Sequence, residues 1–154
     1  MEKVKFSVAS AYGVPLPDES VDIVFGVAIV HHLDLLPAAQ EVHRVLRRGW
    51  RAIFKEPVRN SRTLRVLRKL VPYRSADVSP FERPLTTREI QEFGAKFRPG
   101  YSGSFELPWL SRPKRIPGIK MWSQSMALFG QTMLKRYPFL QHYASVHVFE
   151  LIKD

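Results

Sequence analysis

The chain has 154 residues, 45% of them hydrophobic and 12% aromatic, which suits a single packed domain and argues against disorder. It contains no cysteine, so disulfide frameworks, thiolate zinc sites and cysteine nucleophiles are excluded. The formal charge is +10, and the longest apolar run, Ile23 to Val30, is too short to span a bilayer. Met1 to Lys5 shows no apolar signal segment, and the expected location is the cytoplasm.

Taken in chain order, Val4, Phe6 and Val8 alternate as in a short strand. Pro15 to Ser20 is a turn-rich connector. Asp22 to Ala28 is almost wholly apolar, the pattern of a parallel strand buried on both faces. Asp34 can cap a helix whose Ala38, Val42, Val45 and Leu46 share one face. Arg47 and Arg48 suit the last turn of that helix, and Gly49 suits a left-handed C′ position. Ala52 to Lys55 follows as a strand stopped by Pro57, completing a right-handed βαβ unit.

Further on, Ser61 can cap a basic helix that runs to Val71 and stops at Pro72. Thr86-Thr87-Arg88-Glu89 is a capping box, followed by Ile90, Phe93 and Phe97 as a buried face. Tyr101 to Leu107 reads as a strand. Ile119 to Tyr137 reads as a helix whose Trp122, Met126, Phe129 and Met133 form a core stripe. The last strand runs through Val146, Val148 and Glu150. No repeat or linker divides the chain, so the expectation is one α/β domain over residues 1–154.

Three linked segments carry a resemblance. They are Leu16-Pro17-Asp18-Glu19-Ser20-Val21-Asp22-Ile23-Val24, then His31-His32-Leu33, then Glu41-Val42-His43-Arg44-Val45-Leu46, closed by Glu56-Pro57 at a strand end. Together they resemble the C-terminal part of the class I, S-adenosylmethionine-dependent methyltransferases of the type 11 kind. The resemblance implies a Rossmann-like sheet of order 3-2-1-4-5-7-6 with strand 7 antiparallel. Val4–Ala9, Asp22–Ala28, Ala52–Lys55, Tyr101–Leu107 and Ser145–Lys153 would then be strands 3, 4, 5, 6 and 7. Strands 1 and 2, with their Gly-x-Gly-x-x-Gly loop and ribose-binding acid, have no counterpart in the sequence. The expectation is therefore a truncated domain with a bare edge on strand 4.

S-adenosylmethionine is the implied cofactor. Ser10 and Ala11 occupy the place where the family has an acid facing the adenine amine, and Val27 and His32 lie at and beyond the end of strand 4. The candidate cofactor contacts are thus Ser10, Ala11, Val27 and His32. His32 and Glu56 are the candidate catalytic groups, each able to position an acceptor or take its proton. A helix-entry role for His32 and a capping role for Glu56 are the structural alternatives. His31-His32 has no third ligand at metal-binding spacing, so no metal is expected.

The implied partner is a small-molecule acceptor, apolar or acidic. Arg44, Arg47, Arg48, Arg51, Lys55 and Arg59, continuing to Arg62, Arg65, Arg68 and Lys69, are opposed only by Glu56. Such a field would attract an anionic membrane surface or acidic ligand, or it is a solvated face. No aromatic-basic motif of a specific nucleic-acid module accompanies it. A non-enzymatic interaction module, self-associating through the strand 4 edge, is the competing reading of the chain.

Overall fold

The computed structural model describes residues 4–61, 83–107 and 122–154. Four strands, β1 (Val21–Val27), β2 (Leu46–Pro57), β3 (Arg98–Phe105) and β4 (Val146–Ile152), form one sheet in the order β1-β2-β4-β3. β1 and β2 are parallel, whereas β4 runs antiparallel to both β2 and β3. This reproduces the 4-5-7-6 half of the expected order, with its reversed strand. Helices α1 (Leu35–Val45), α2 (Thr87–Phe93) and α3 (Trp122–Arg136) flank the strands, with 3-10 turns at Val30–His32 and Pro138–Tyr143. The expected basic helix from Arg62 to Val71 lies outside the described residues.

The expected third strand is not formed: Val4–Ala9 has no strand pairing, and Val4, Phe6 and Val8 are exposed. A strand is held by its neighbour's ladder and cross-strand contacts, and alternation without a neighbour stabilises nothing. β1 consequently ends the sheet among the described residues. It is buried on one face only, a second correction. Ile23, Phe25 and Val27 are 56%, 68% and 52% exposed, while Gly26 is buried and Val24 packs on the core.

That core lies between the sheet and α1 and α2. Phe54, Phe93 and Phe149 meet with ring centroids 5.3–6.4 Å apart, joined by Leu46, Ala52, Leu151, Val30 and Ala38. Rings of this size remove much apolar surface from water and fix one another edge to face. α2 begins with the expected capping box: Thr86 Oγ1 accepts from the Glu89 backbone N–H, and the Glu89 carboxylate accepts from Thr86 N–H at 2.8 Å. A smaller cluster joins Leu134 of α3 to Leu107 and Ala144. Phe129, placed in the buried stripe by its spacing, is 55% exposed; α3 buries Leu134 and Gly130 instead.

α1 stops at Val45, three residues before the expected basic end. Its end is held by two sets of donors: the buried Lys153 ammonium donates to the carbonyls of His43 and Leu46 at 2.8 and 2.9 Å, and the N–H groups of Glu19 and Ser20 donate to those of Arg44 and Val45 at 2.8 and 2.9 Å. Together they satisfy the helix's free carbonyls as Leu46 enters the sheet. Gly49, with φ +77°, lies inside β2, where pairing with β1 jumps from Val21–Leu46 to Ile23–Arg51. Its N–H donates to the Lys153 carbonyl at 2.7 Å. Glycine takes this left-handed turn at no steric cost, and Trp50 is spared it. Asp34 occupies the N-cap of α1, yet its side chain makes no cap bond.

Candidate functional site

Parallel strands present their carboxyl ends as the usual ligand-binding edge of an α/β sheet. Here that edge is the end of β1 and β2, where Val27, Ala28 and Glu56 stand. Glu56 is completely buried on the core side of β2, in register with His147 of β4. Its Oε1 accepts from the backbone N–H of Ile29 and of Val30, each at 2.9 Å. Its Oε2 accepts from His31 N–H at 3.4 Å and pairs with His31 Nδ1 at 2.8 Å. With the carboxylate oxygen accepting, Nδ1 is the donor of that bond. Both oxygens of Glu56 are thereby engaged by the segment that leaves β1.

That segment starts with a strained residue. Ala28 has φ +51°, a left-handed conformation that costs an L-residue about 1–2 kcal/mol. Its N–H donates to the Lys55 carbonyl at 2.8 Å, extending the β1–β2 ladder by one step before the chain turns. Gly26 permits the close packing beneath it. A Cβ there would stand 2.7 Å from the Phe54 ring and 2.8 Å from Ile29 Cγ2.

A second turn, Ser10–Gly13, comes to the same edge. The Tyr12 hydroxyl oxygen accepts from Asp34 N–H at 2.9 Å, anchoring this turn at the entry to α1 and just past His32. The Ser10 hydroxyl accepts from Tyr12 N–H at 3.2 Å. The structure thus brings the Ser10–Ala11 turn to the loop that follows Val27 and contains His32. Val27 and Ser10 are exposed, and Ala11 and His32 are half-buried. The His31 and His32 rings lie 4.0 Å apart, centroid to centroid. Tyr12 was not singled out in the sequence; its only signal is an aromatic hydroxyl inside a small-residue turn.

Below this edge, Glu41 and Arg44 lock the connector onto α1. Glu41 accepts from Val14 N–H at 2.6 Å and from both Nε and a terminal nitrogen of Arg44. Arg44 continues to the Leu16 and Val14 carbonyls and to Asp18. The Arg44 hydrogen bonds, with that from Val14, outweigh partial burial and hold the Glu41 carboxyl down to about 2. The Glu-x-x-Arg motif that carries the resemblance is, in this molecule, a structural lock.

A cleft of about 320 Å³ opens beside His31, between Leu33, Asp34, Arg83, Leu85 and Glu89. Burial raises Glu89, but the hydrogen bonds from Thr86 and the nearby Arg83 outweigh it and hold the carboxyl below its usual range. On β4, His147 bonds Ser102 Oγ through Nε2 at 2.9 Å and Ser104 Oγ through Nδ1 at 3.1 Å, and its burial lowers its pKa. Among the described residues no three His, Asp or Glu side chains gather as a metal site. No described helix is long and apolar enough to cross a membrane. Within the described part of the basic cluster, Arg44 pairs with Asp18 and Glu41, Arg47 with Asp22, Arg48 with Glu19, and Arg51 with Glu150; Arg62, Arg65, Arg68 and Lys69 lie outside the described residues.

Ser10, the exposed Val27 and His32 offer a hydroxyl, an apolar contact and an imidazole at the ligand-binding edge. No glycine loop in the sequence offers backbone to the cofactor's methionine and ribose parts.

Residues 1–54 match the family model of the methyltransferase domain. No curated protein matches the chain. Among solved structures, a SAM-dependent methyltransferase from Methanosarcina mazei is similar over 98% of this chain and 68% of its own, with TM-score 0.62 and 18% identity. Geranyl diphosphate C-methyltransferase from Streptomyces coelicolor A3(2), solved with Mg2+, geranyl diphosphate and S-adenosyl-L-homocysteine, gives TM-score 0.57 at 13% identity. The match covers 96% of this chain and 52% of that one. The [4+2]-cyclase SpnF gives TM-score 0.55 at 17% identity, over 96% and 56%. This chain thus spans about half the length of the latter two. Such identities establish the fold, and the cyclase shows that the fold alone does not select the reaction.

Proposed function

We propose that this chain, which carries the C-terminal part of a methyltransferase type 11-like domain, supplies the acceptor side of S-adenosylmethionine-dependent methyl transfer to a small molecule in the cytoplasm. The observation that carries the reading is the β1-β2-β4-β3 order with β4 reversed, coupled to the family match over residues 1–54. The cofactor supplies a methyl group already activated on a sulfonium, so the protein's share is alignment and exclusion of water. In this reading Ser10, Ala11 and Val27 meet the cofactor. His32, at the same edge, positions the acceptor or takes its proton, and the cleft beside His31, lined by leucines and by Asp34, Arg83 and Glu89, receives part of it. Glu56, with both oxygens engaged by backbone and His31, acts through the loop rather than on the acceptor.

Calorimetric titration of S-adenosylmethionine into the folded chain tests this. Saturable micromolar binding, weakened by Val27→Asp, is the expected result. A folded chain that shows no heat of binding overturns the reading for this chain.

A second reading, an interaction module, is favoured by one observation. The outer side of β1 exposes Ile23, Phe25 and Val27 beside an unpaired edge among the described residues. Self-association through that edge is its prediction. Light scattering of the wild type and of Phe25→Lys separates the two, since only an edge-mediated dimer is dispersed by the charge. Contact with an anionic membrane is a further reading, and it would rest on Arg62 to Lys69, since Arg44, Arg47, Arg48 and Arg51 are already ion-paired.

A further inference from the structure

We infer that Glu56 is a positioning residue: its buried carboxylate holds the turn Ala28–His31 in one strained shape, and through it sets Val27 toward the cofactor and His32 toward the acceptor. The role given to Val27 and His32 rests on the methyltransferase reading above; the hold on the turn does not.

Four donors from three consecutive residues converge on one side chain that is completely buried. No ordinary cap looks like this, because Val30–His32 is a single 3-10 turn with no side-chain cap of its own. Without Glu56, three backbone N–H groups at the sheet's end would have to find water or rearrange. The left-handed Ala28 is the conformational cost of this arrangement. A non-glycine residue is kept left-handed only where its surroundings over-determine it, and here the Lys55 carbonyl fixes its N–H while the carboxylate fixes the next three. Gly26, Phe54 and Ile29 pack tightly beneath, so the turn cannot relax downward.

Geometry passes outward from there. Val27 and His32 bracket the clamped residues, so the carboxylate sets the span and direction between them. The His31 ring is held by Nδ1 and lies tilted against His32 with centroids 4.0 Å apart, which leaves the second imidazole few orientations. Groups held within a fraction of an ångström bind and react far better than the same groups on a loose loop.

The test compares Glu56→Gln with Lys153→Met. Lys153 is also buried and also bonds backbone, but at the opposite edge of the sheet, where β4 ends. It reports what general destabilisation alone does. Amide hydrogen exchange and S-adenosylmethionine titration are measured on both variants and on the wild type, with urea unfolding to match stabilities. The expected result for Glu56→Gln is exchange at Ile29, Val30 and His31 about tenfold faster or more, and cofactor affinity about tenfold weaker or more. Lys153→Met should change neither by more than about twofold. Wild-type exchange at those three amides in Glu56→Gln, or equal acceleration in Lys153→Met, overturns the assignment. If the wild type binds no cofactor, the methyltransferase reading falls, and the exchange rates alone still decide whether Glu56 holds the turn.

Discussion

The two ends of the β1–β2 unit are fastened by different physics. At the lower end, Glu41 and Arg44 form a forked ion pair that reaches Val14, Leu16 and Asp18, and Lys153 joins the helix end to Glu19. Cation and anion there answer one another directly, and much of the assembly touches solvent. At the upper end, among the described residues, neutral backbone donors and one imidazole hold the Glu56 carboxylate. The lower end is built to hold a connector in place. The upper end is built to hold a shape, and shape matters at the edge where a ligand would sit.

Removing each fastening should expose that difference. Glu56→Ala leaves the N–H of Val30, which is buried, and those of Ile29 and His31, which are partly buried, without their acceptor and is expected to cost about 3 kcal/mol, read from urea unfolding. Gly26→Ala drives a methyl into Phe54 and Ile29 and should cost about 1–3 kcal/mol by the same assay. Glu41→Gln should cost about 1–2 kcal/mol and change the acid profile. The folded Glu41 carboxyl lies at about 2 against an ordinary 4.5, so its stabilisation is complete above 4.5 and lost as pH falls toward 2. The variant should therefore lose less stability than the wild type across that window.

The comparison sharpens further with smaller changes. His147, lowered by burial, contributes stability above its ordinary 6.5 that is lost as pH falls below it. His147→Gln should flatten the stability profile just below pH 6.5. Ala28→Gly should relieve the left-handed turn, gaining about 0.5 kcal/mol after the chain-entropy cost of glycine. Arg48→Ala, at an exposed 3.3 Å pair with Glu19, should shift unfolding by less than about 0.5 kcal/mol.

Much of the sheet was legible because period and punctuation are local. The apolar run of β1, the stop at Pro57 and the Thr86–Glu89 box depend on residues a few positions apart. What escaped depends on distant partners. The end of α1 is set by donors distant in sequence: Glu19 and Ser20 N–H take the Arg44 and Val45 carbonyls, and Lys153, over a hundred residues away, takes those of His43 and Leu46. Val4–Ala9 had a strand's alternation but no neighbour to pair with. Phe129 had helical spacing, yet spacing does not say which face meets Leu107 and Ala144. At the site, Glu56 could be placed at a strand end from sequence, but not its complete burial or its four donors. The Glu41–Arg44 spacing marked a family without revealing that its work is to bind Val14 and Asp18.

The position of β4 has a consequence for how the chain acquires its structure. β2 and β3 do not pair with each other; each pairs with β4, and the Arg51–Glu150 contact spans 99 positions. Closing loops of that length is entropically costly and slow compared with forming helices or hairpins. Until Val146–Ile152 inserts, the carbonyls and amides along β2 face solvent and the Phe54–Phe149 contact is absent. The sheet is therefore expected to fold late and all at once, with its last strand as the keystone.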